Sequence, residues 1–89
     1  MIIGNKDIAL WKKLKSKPYS SGVKLRELKS LLLLVGFELV SVTGSHHTFK
    51  HPKSDDILTL QERGGSVKPV YTKLVYKTIN ELELEERIK

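Results

Sequence analysis

Apolar positions recur along this chain in two rhythms. Ile8, Trp11 and Leu14 return every third residue, and Leu25, Leu28, Leu32 and Val35 every third or fourth. Tyr71, Leu74, Val75, Thr78, Ile79 and Leu82 keep the same helical beat near the end of the chain. Spacings of three and four stack side chains on one side of an α-helix, so three helices are expected. Asp7 is placed to cap the first, and Lys12, Lys13, Lys15 and Lys17 fall in its last turn or just past it, where cations complement the helix dipole. The second spans about residues 24–35 and stops at Gly36, a residue suited to a left-handed C-cap. The third opens on Pro69, which favours the first helical position; residues 83–89 extend it or fray.

Between the second and third helices the rhythm changes. Residues 37–43, the stretch around Thr48 and Phe49, and residues 57–61 are rich in β-branched and aromatic side chains and lack a helical period. Thr43-Gly44-Ser45 and residues 52–56 are connections too short for a parallel crossover, so the strands form an antiparallel meander. Residues 17–22 read as a loop, and residues 62–68 as a flexible basic one. The expected fold is α+β: a three-stranded antiparallel sheet with helices on one face, its other face free for function. Leu31, Leu33 and Leu34 widen the leucine stripe beyond what one sheet can cover, and the first helix with Trp11 is the simplest second partner. Residues 1–22 thus read as an N-terminal helical extension and residues 23–89 as the main domain.

Composition narrows the classes. Eighty-nine residues support one core. There is no cysteine, hence no disulfide, thiolate nucleophile or cysteine-based zinc site. The longest apolar run, Leu31-Leu32-Leu33-Leu34-Val35, is too short for a membrane span, and the first seven residues carry no export pattern, so a cytoplasmic protein is expected. The formal charge is +6, and residues 1–30 alone hold eight Lys or Arg against Asp7 and Glu27. That asymmetry points to a polyanion, most simply nucleic acid.

All three histidines fall in Gly44-Ser45-His46-His47-Thr48-Phe49-Lys50-His51-Pro52. Strand alternation divides them. Phe49 should face the helices, with His47 and His51 on its side; His46, Thr48 and Lys50 then face outward. His47 is the natural half-buried, satisfied histidine and His46 the exposed one. Metal binding is disfavoured, because His47 and His51 lie about 13 Å apart along a strand and no acid or thiol completes a ligand set. A serine triad is disfavoured too, since Ser45 and His46 point to opposite faces. Cleavage of RNA needs no protein nucleophile: the 2′-hydroxyl attacks the adjacent phosphate if a base takes its proton and cations hold the charge.

With those residues in place, the chain resembles the HicA (YcfA-like) family of toxins from prokaryotic toxin–antitoxin pairs. The likeness runs from about Lys24 to Leu82, through Leu34-Val35-Gly36-Phe37-Glu38-Leu39-Val40 and the Gly-Ser-His core at Gly44 to His46 followed by an aromatic and His51-Pro52. It implies a double-stranded RNA-binding-domain-like α-β-β-β-α fold and a stress-response toxin that cleaves mRNA without a metal or other cofactor. The implied partners are mRNA and a HicB-like antitoxin, with no membrane and no small-molecule ligand. His46 is the implied catalytic residue and Gly44 is implied to matter beside it. On this reading Gly44 and Ser45 position the scissile phosphate, and Lys50, Arg63, Lys68 and Lys73 hold flanking ones. The family's Pro-x-His pattern after the third strand has no counterpart in Leu60-Gln61-Glu62-Arg63, and the last helix lacks the family's usual Gly-Thr start. Two rivals stand beside this reading. One is a non-catalytic RNA-binding module of the same fold; the other is a protein-interaction domain built on the leucine-rich helix. A one-residue slip of the strand would exchange His47 for His46.

Overall fold

The computed structural model describes residues 5–88, and the expectations for the opening residues 1–4 and for Lys89 lie outside it. The described chain forms α1 (Asn5–Ser16), α2 (Leu25–Leu34), β1 (Glu38–Thr43), β2 (His46–Lys50), β3 (Ile57–Arg63), β4 (Ser66–Val67) and α3 (Pro69–Glu81), followed by a short 3₁₀ turn, Glu85–Arg87. The class is α+β with an antiparallel sheet. The sheet has four strands in the order β1-β2-β3-β4, where three were expected. The fourth comes from the segment whose composition suggests a loop: β3 runs on to Arg63, and Gly64 and Gly65, both at positive φ, turn the chain so that Arg63 pairs with Ser66 and Glu62 with Val67. Two successive left-handed residues make the tight turn that matches sheet twist, and glycine adopts them without strain.

Each helix end has a local cause. At the start of α2 the Glu27 carboxylate accepts the Lys24 backbone N–H at 3.0 Å, which satisfies one of the orphan donors of a helix N-terminus. At its end Gly36 takes φ +102°. The first helix begins before Asp7, so Asp7 lies in its first turn and is no cap; its carboxylate instead accepts the Ser30 hydroxyl of α2 at 2.8 Å. In α3, Pro69 occupies the first turn as expected. Glu83 at φ +54° breaks the helix, so the following residues neither extend it nor fray: Leu84 and Ile88 turn back and are buried.

The core is one cluster shared by every major element. Leu14, Leu28, Leu31, Leu32, Val35, Phe49, Leu60, Val75 and Ile79 are fully enclosed, and Leu10 and Trp11 join them from α1. The leucine surplus on α2 is thereby divided: Leu31 is buried, Leu34 packs partly against the core, and Leu33 stays exposed. Trp11 also donates its indole N–H to Glu85 at 3.0 Å, and Lys15 pairs with the same carboxylate, so α1 clasps the C-terminal turn. The Trp11 and Tyr76 rings meet at 5.5 Å. Thr72 is fully buried in α3; its hydroxyl lies 2.9 Å from the Pro18 carbonyl, 3.2 Å from that of Ser20 and 2.7 Å from that of Pro69. It ties the 17–22 loop to α3, a role that the apolar stripe of this helix, which does not include Thr72, leaves unannounced.

The junction of α2 and β1 is the tightest point. A Cβ on Gly36 would meet His51 Nε2 at 3.0 Å and an Arg87 nitrogen at 3.3 Å, on top of the strain of a positive φ. Gly44 also has a positive φ but nothing within 4 Å. Gly36→Ala should therefore destabilise the protein by about 1–3 kcal/mol or more, and by more than Gly44→Ala, as read from urea denaturation midpoints.

Candidate functional site

The histidine strand β2 is central in its half of the sheet, with β1 on one side and β3 on the other. Thr43 pairs with His46 across the two-residue turn Gly44-Ser45, and Gly44 at φ +60° supplies the left-handed first position that such a hairpin requires. The Ser45 carbonyl accepts the Glu62 N–H at 3.0 Å, anchoring the turn to β3. Across to β3, His46 pairs with Gln61, His47 with Leu60, Thr48 with Thr59 and Phe49 with Leu58. Residues directly opposite one another share a face. Phe49, Leu58 and Leu60 are buried under the helices, so His47 lies on that side, and His46, Thr48, Lys50 and Gln61 lie on the other.

The three histidines thus occupy three environments. His46 is exposed on the open face, and its imidazole makes no hydrogen bond with the described residues. Around it stand Thr43 and Gln61 as cross-strand neighbours, then Arg63 two places beyond Gln61 on the same face. Gln61 is held by the Tyr71 hydroxyl, which donates to its side-chain oxygen at 3.3 Å and leaves the amide N–H₂ free. Thr48 and Thr59 pair through their hydroxyls at 3.3 Å. His51 is the satisfied histidine. Its Nδ1 accepts the Lys53 backbone N–H at 3.0 Å, so the proton sits on Nε2 and is donated to the Val35 carbonyl at 2.9 Å. The ring meets Phe37 edge-on at 4.9 Å. His47 was expected to play that part. It is half-buried, but its Nε2 is enclosed and has no partner.

The expected cations are dispersed. Lys50 is exposed at the far end of β2, opposite Glu38 and Ile57. Arg63 is exposed at the hairpin end of β3, and Lys68 is exposed just ahead of α3. Lys73 stands apart from them, with its ammonium 5.2 Å from the centre of the Tyr19 ring. Gln61, the cross-strand neighbour of His46, and Tyr71, which holds Gln61, are given no role at the site by sequence reading. Gly64-Gly65 is the available signal, because a Gly-Gly turn prolongs β3 past Gln61 to Arg63 and carries the chain back toward α3. Among the described residues, no group of three or more His, Asp or Glu is gathered as a metal site, and no helix is long and apolar enough to cross a membrane.

Over residues 25–80 the chain matches the family model described as the HicA toxin of bacterial toxin–antitoxin systems. That span is most of the chain and contains α2, the whole sheet and nearly all of α3; the protein belongs to the HicA toxin family. It is therefore the toxin member of a toxin–antitoxin pair, and membership implies a HicB-type antitoxin partner. No curated protein and no solved structure gives a match.

Chemical modification reads the three environments directly. Diethyl pyrocarbonate should acylate His46 first and His47 more slowly, and should leave His51 intact until the protein unfolds, as followed by peptide mass spectrometry.

Proposed function

We propose that this toxin is an mRNA interferase, a metal-independent endoribonuclease that blocks translation, with His46 as its acid–base group. The observation that carries the reading is the free, exposed imidazole of His46 on the uncovered sheet face of a HicA-family chain. Attack of a 2′-hydroxyl on the adjacent phosphate requires a proton acceptor, and His46 is positioned to serve. The 2′-oxygen forms a bond to phosphorus, the bond to the 5′-oxygen breaks, and that oxygen takes up a proton. The products are a 2′,3′-cyclic phosphate and a 5′-hydroxyl. His46 removes the first proton; its conjugate acid, or water, supplies the second.

The flanking groups support this chemistry. The Gly44-Ser45 turn brings backbone to the edge of the site with no side chain crowding Gly44. The Gln61 amide, oriented by Tyr71, is a donor suited to a non-bridging phosphate oxygen. Arg63 on the same face supplies charge for the adjacent backbone, and Lys50 and Lys68 extend it; Lys73 contributes from α3 or through its hold on Tyr19. Single-stranded mRNA is the substrate favoured by an open sheet face, because unpaired nucleotides lie across a sheet without the groove geometry a duplex imposes. The fold is of the general double-stranded RNA-binding type with one strand more, and the protein works in the cytoplasm, where mRNA is.

One imidazole carrying both proton transfers makes a modest catalyst. His46→Ala should lower the rate of mRNA cleavage by about 10²- to 10⁴-fold, while RNA affinity at fixed salt and the melting temperature stay near wild type. Undiminished cleavage by the variant would remove His46 from the mechanism. If wild type binds RNA and leaves it intact in a time course, the non-catalytic binding module is the better description.

A further inference from the structure

One edge of β3 is left unpaired over most of its length. On one side β2 pairs with Ile57 through Gln61; on the other β4 pairs only with Glu62 and Arg63 before Pro69 takes the chain off into α3. Glu62 donates its N–H to the Ser45 carbonyl, toward β2. Backbone groups address alternate sides along a strand, so those of Leu58 and Leu60 also meet β2, and those of Ile57 and Thr59 point away from it. No described residue hydrogen-bonds the outward pair. The edge opens into a groove of about 460 Å³ between β3 and α3, with Phe37, Asp56, Ile57, Leu58, Leu74 and Glu81 in its walls. Ile57 and Leu58 point to opposite faces of the sheet and both line the groove, so it wraps the strand's edge. Apolar surface lies uncovered there: Ile57 is 62% and Leu74 37% exposed. The rim is acidic although the chain carries +6. Asp56 and Glu81 line the groove and no Lys or Arg does; the ion pair of Glu81, with Lys77 at 3.8 Å, is exposed.

We propose that this edge takes an extended segment of the antitoxin as an added strand. Its main chain bonds the outward N–H and C=O groups of Ile57 and Thr59. An aliphatic side chain of the segment enters the groove against Leu74, and a Lys or Arg beside it meets Asp56 and Glu81. In strand addition the main-chain bonds supply affinity and the pockets for alternate side chains supply specificity. Membership of the HicA family provides the occupant, a HicB-type antitoxin, and the site does not rest on the ribonuclease reading. The charge of the rim tells against the other occupants. RNA would bring phosphates to two carboxylates, and a second copy paired edge to edge would bring Asp56 and Glu81 against themselves. Ile57 pairs with Lys50 and Gln61 with His46, so the groove lies about 13 Å along β3 from the partner of His46. The added strand therefore grips the toxin away from its histidine.

The probe is the purified antitoxin of the same pair, added to the full toxin chain. Amide hydrogen exchange of the wild-type toxin, resolved by residue, should slow at Ile57 and Thr59 when the complex forms. Ile57→Ala with Leu74→Ala should weaken the complex at least about 30-fold, the size of an interface hot spot. Asp56→Lys with Glu81→Lys should weaken it too, and these exposed acids can be reversed without touching the core if the alanine pair lowers the melting temperature. Affinity for an uncleavable 2′-deoxy oligonucleotide should not fall in the alanine pair. Unchanged exchange at Ile57 and Thr59 in the complex, or unchanged antitoxin affinity in both double variants, overturns the proposal. Protection of the same amides that grows with toxin concentration alone identifies a second copy as the occupant and overturns it as well. Loss of oligonucleotide affinity in the alanine pair, with the antitoxin still bound tightly, points to nucleic acid and does the same. Cleavage of RNA enters none of these readouts, so a toxin that cuts no RNA leaves the docking edge standing, and a failed docking edge leaves the nuclease standing.

Discussion

The structure depends on the phase of β2. A strand shows alternate residues to opposite faces, so a single-residue slip would turn His46, Thr48 and Lys50 into the core and expose Phe49. Two residues prevent it. Phe49 is fully enclosed between the helices and the sheet. His51, one turn of the pleat further on, is bound on both ring nitrogens, to the Val35 carbonyl that ends α2 and to the Lys53 N–H of the following turn. Together they clamp the end of the strand to the end of a helix, with Gly36 bare so that His51 can approach. Inserting Lys50 in place of Phe49 would bury an unpaired ammonium, a cost far larger than any gain from a shifted ladder. The exposure of His46, three residues before Phe49 and five before His51, follows from that clamp.

The arrangement explains how a chain of this size keeps one sheet face open. A single sheet with one open side needs a well-filled other side, and the α2 and α3 stripes alone do not enclose Leu31 or Trp11. The N-terminal helix and the returning C-terminal turn close the core from the far side, joined through Trp11, Lys15 and Glu85. Residues 1–30 hold eight Lys or Arg against two acids, a charge excess that draws polyanions toward the molecule from a distance.

Much of this is legible from the residues. Helical spacing locates α2 and α3, short connections force the antiparallel meander, and alternation puts His46 outward with no structural help. What escapes such a reading is of two kinds. Tertiary hydrogen bonding is invisible: nothing local says that Thr72 holds the 17–22 loop, that Asp7 reaches Ser30, or that His51 and not His47 is the satisfied histidine. Local backbone chemistry is visible but easily undervalued, since Gly64-Gly65 marks a hairpin as plainly as Gly44-Ser45 does. Treating that segment as flexible ends β3 at Gln61, and Arg63 then loses its place on the same face as His46. Only the structure shows that the half-buried His47 keeps an enclosed nitrogen with no partner.

The central claim is that the phase of β2 delivers an imidazole to a 2′-hydroxyl and its phosphate on the open face. The chemistry of the cut ends tests this most directly. RNA digested by the purified toxin in the presence of a chelator should carry 2′,3′-cyclic phosphates and 5′-hydroxyls by mass spectrometry, and His46→Asn should yield neither. Ends bearing 3′-hydroxyls and 5′-phosphates would mean that water, not the 2′-hydroxyl, is the nucleophile, and would contradict the account.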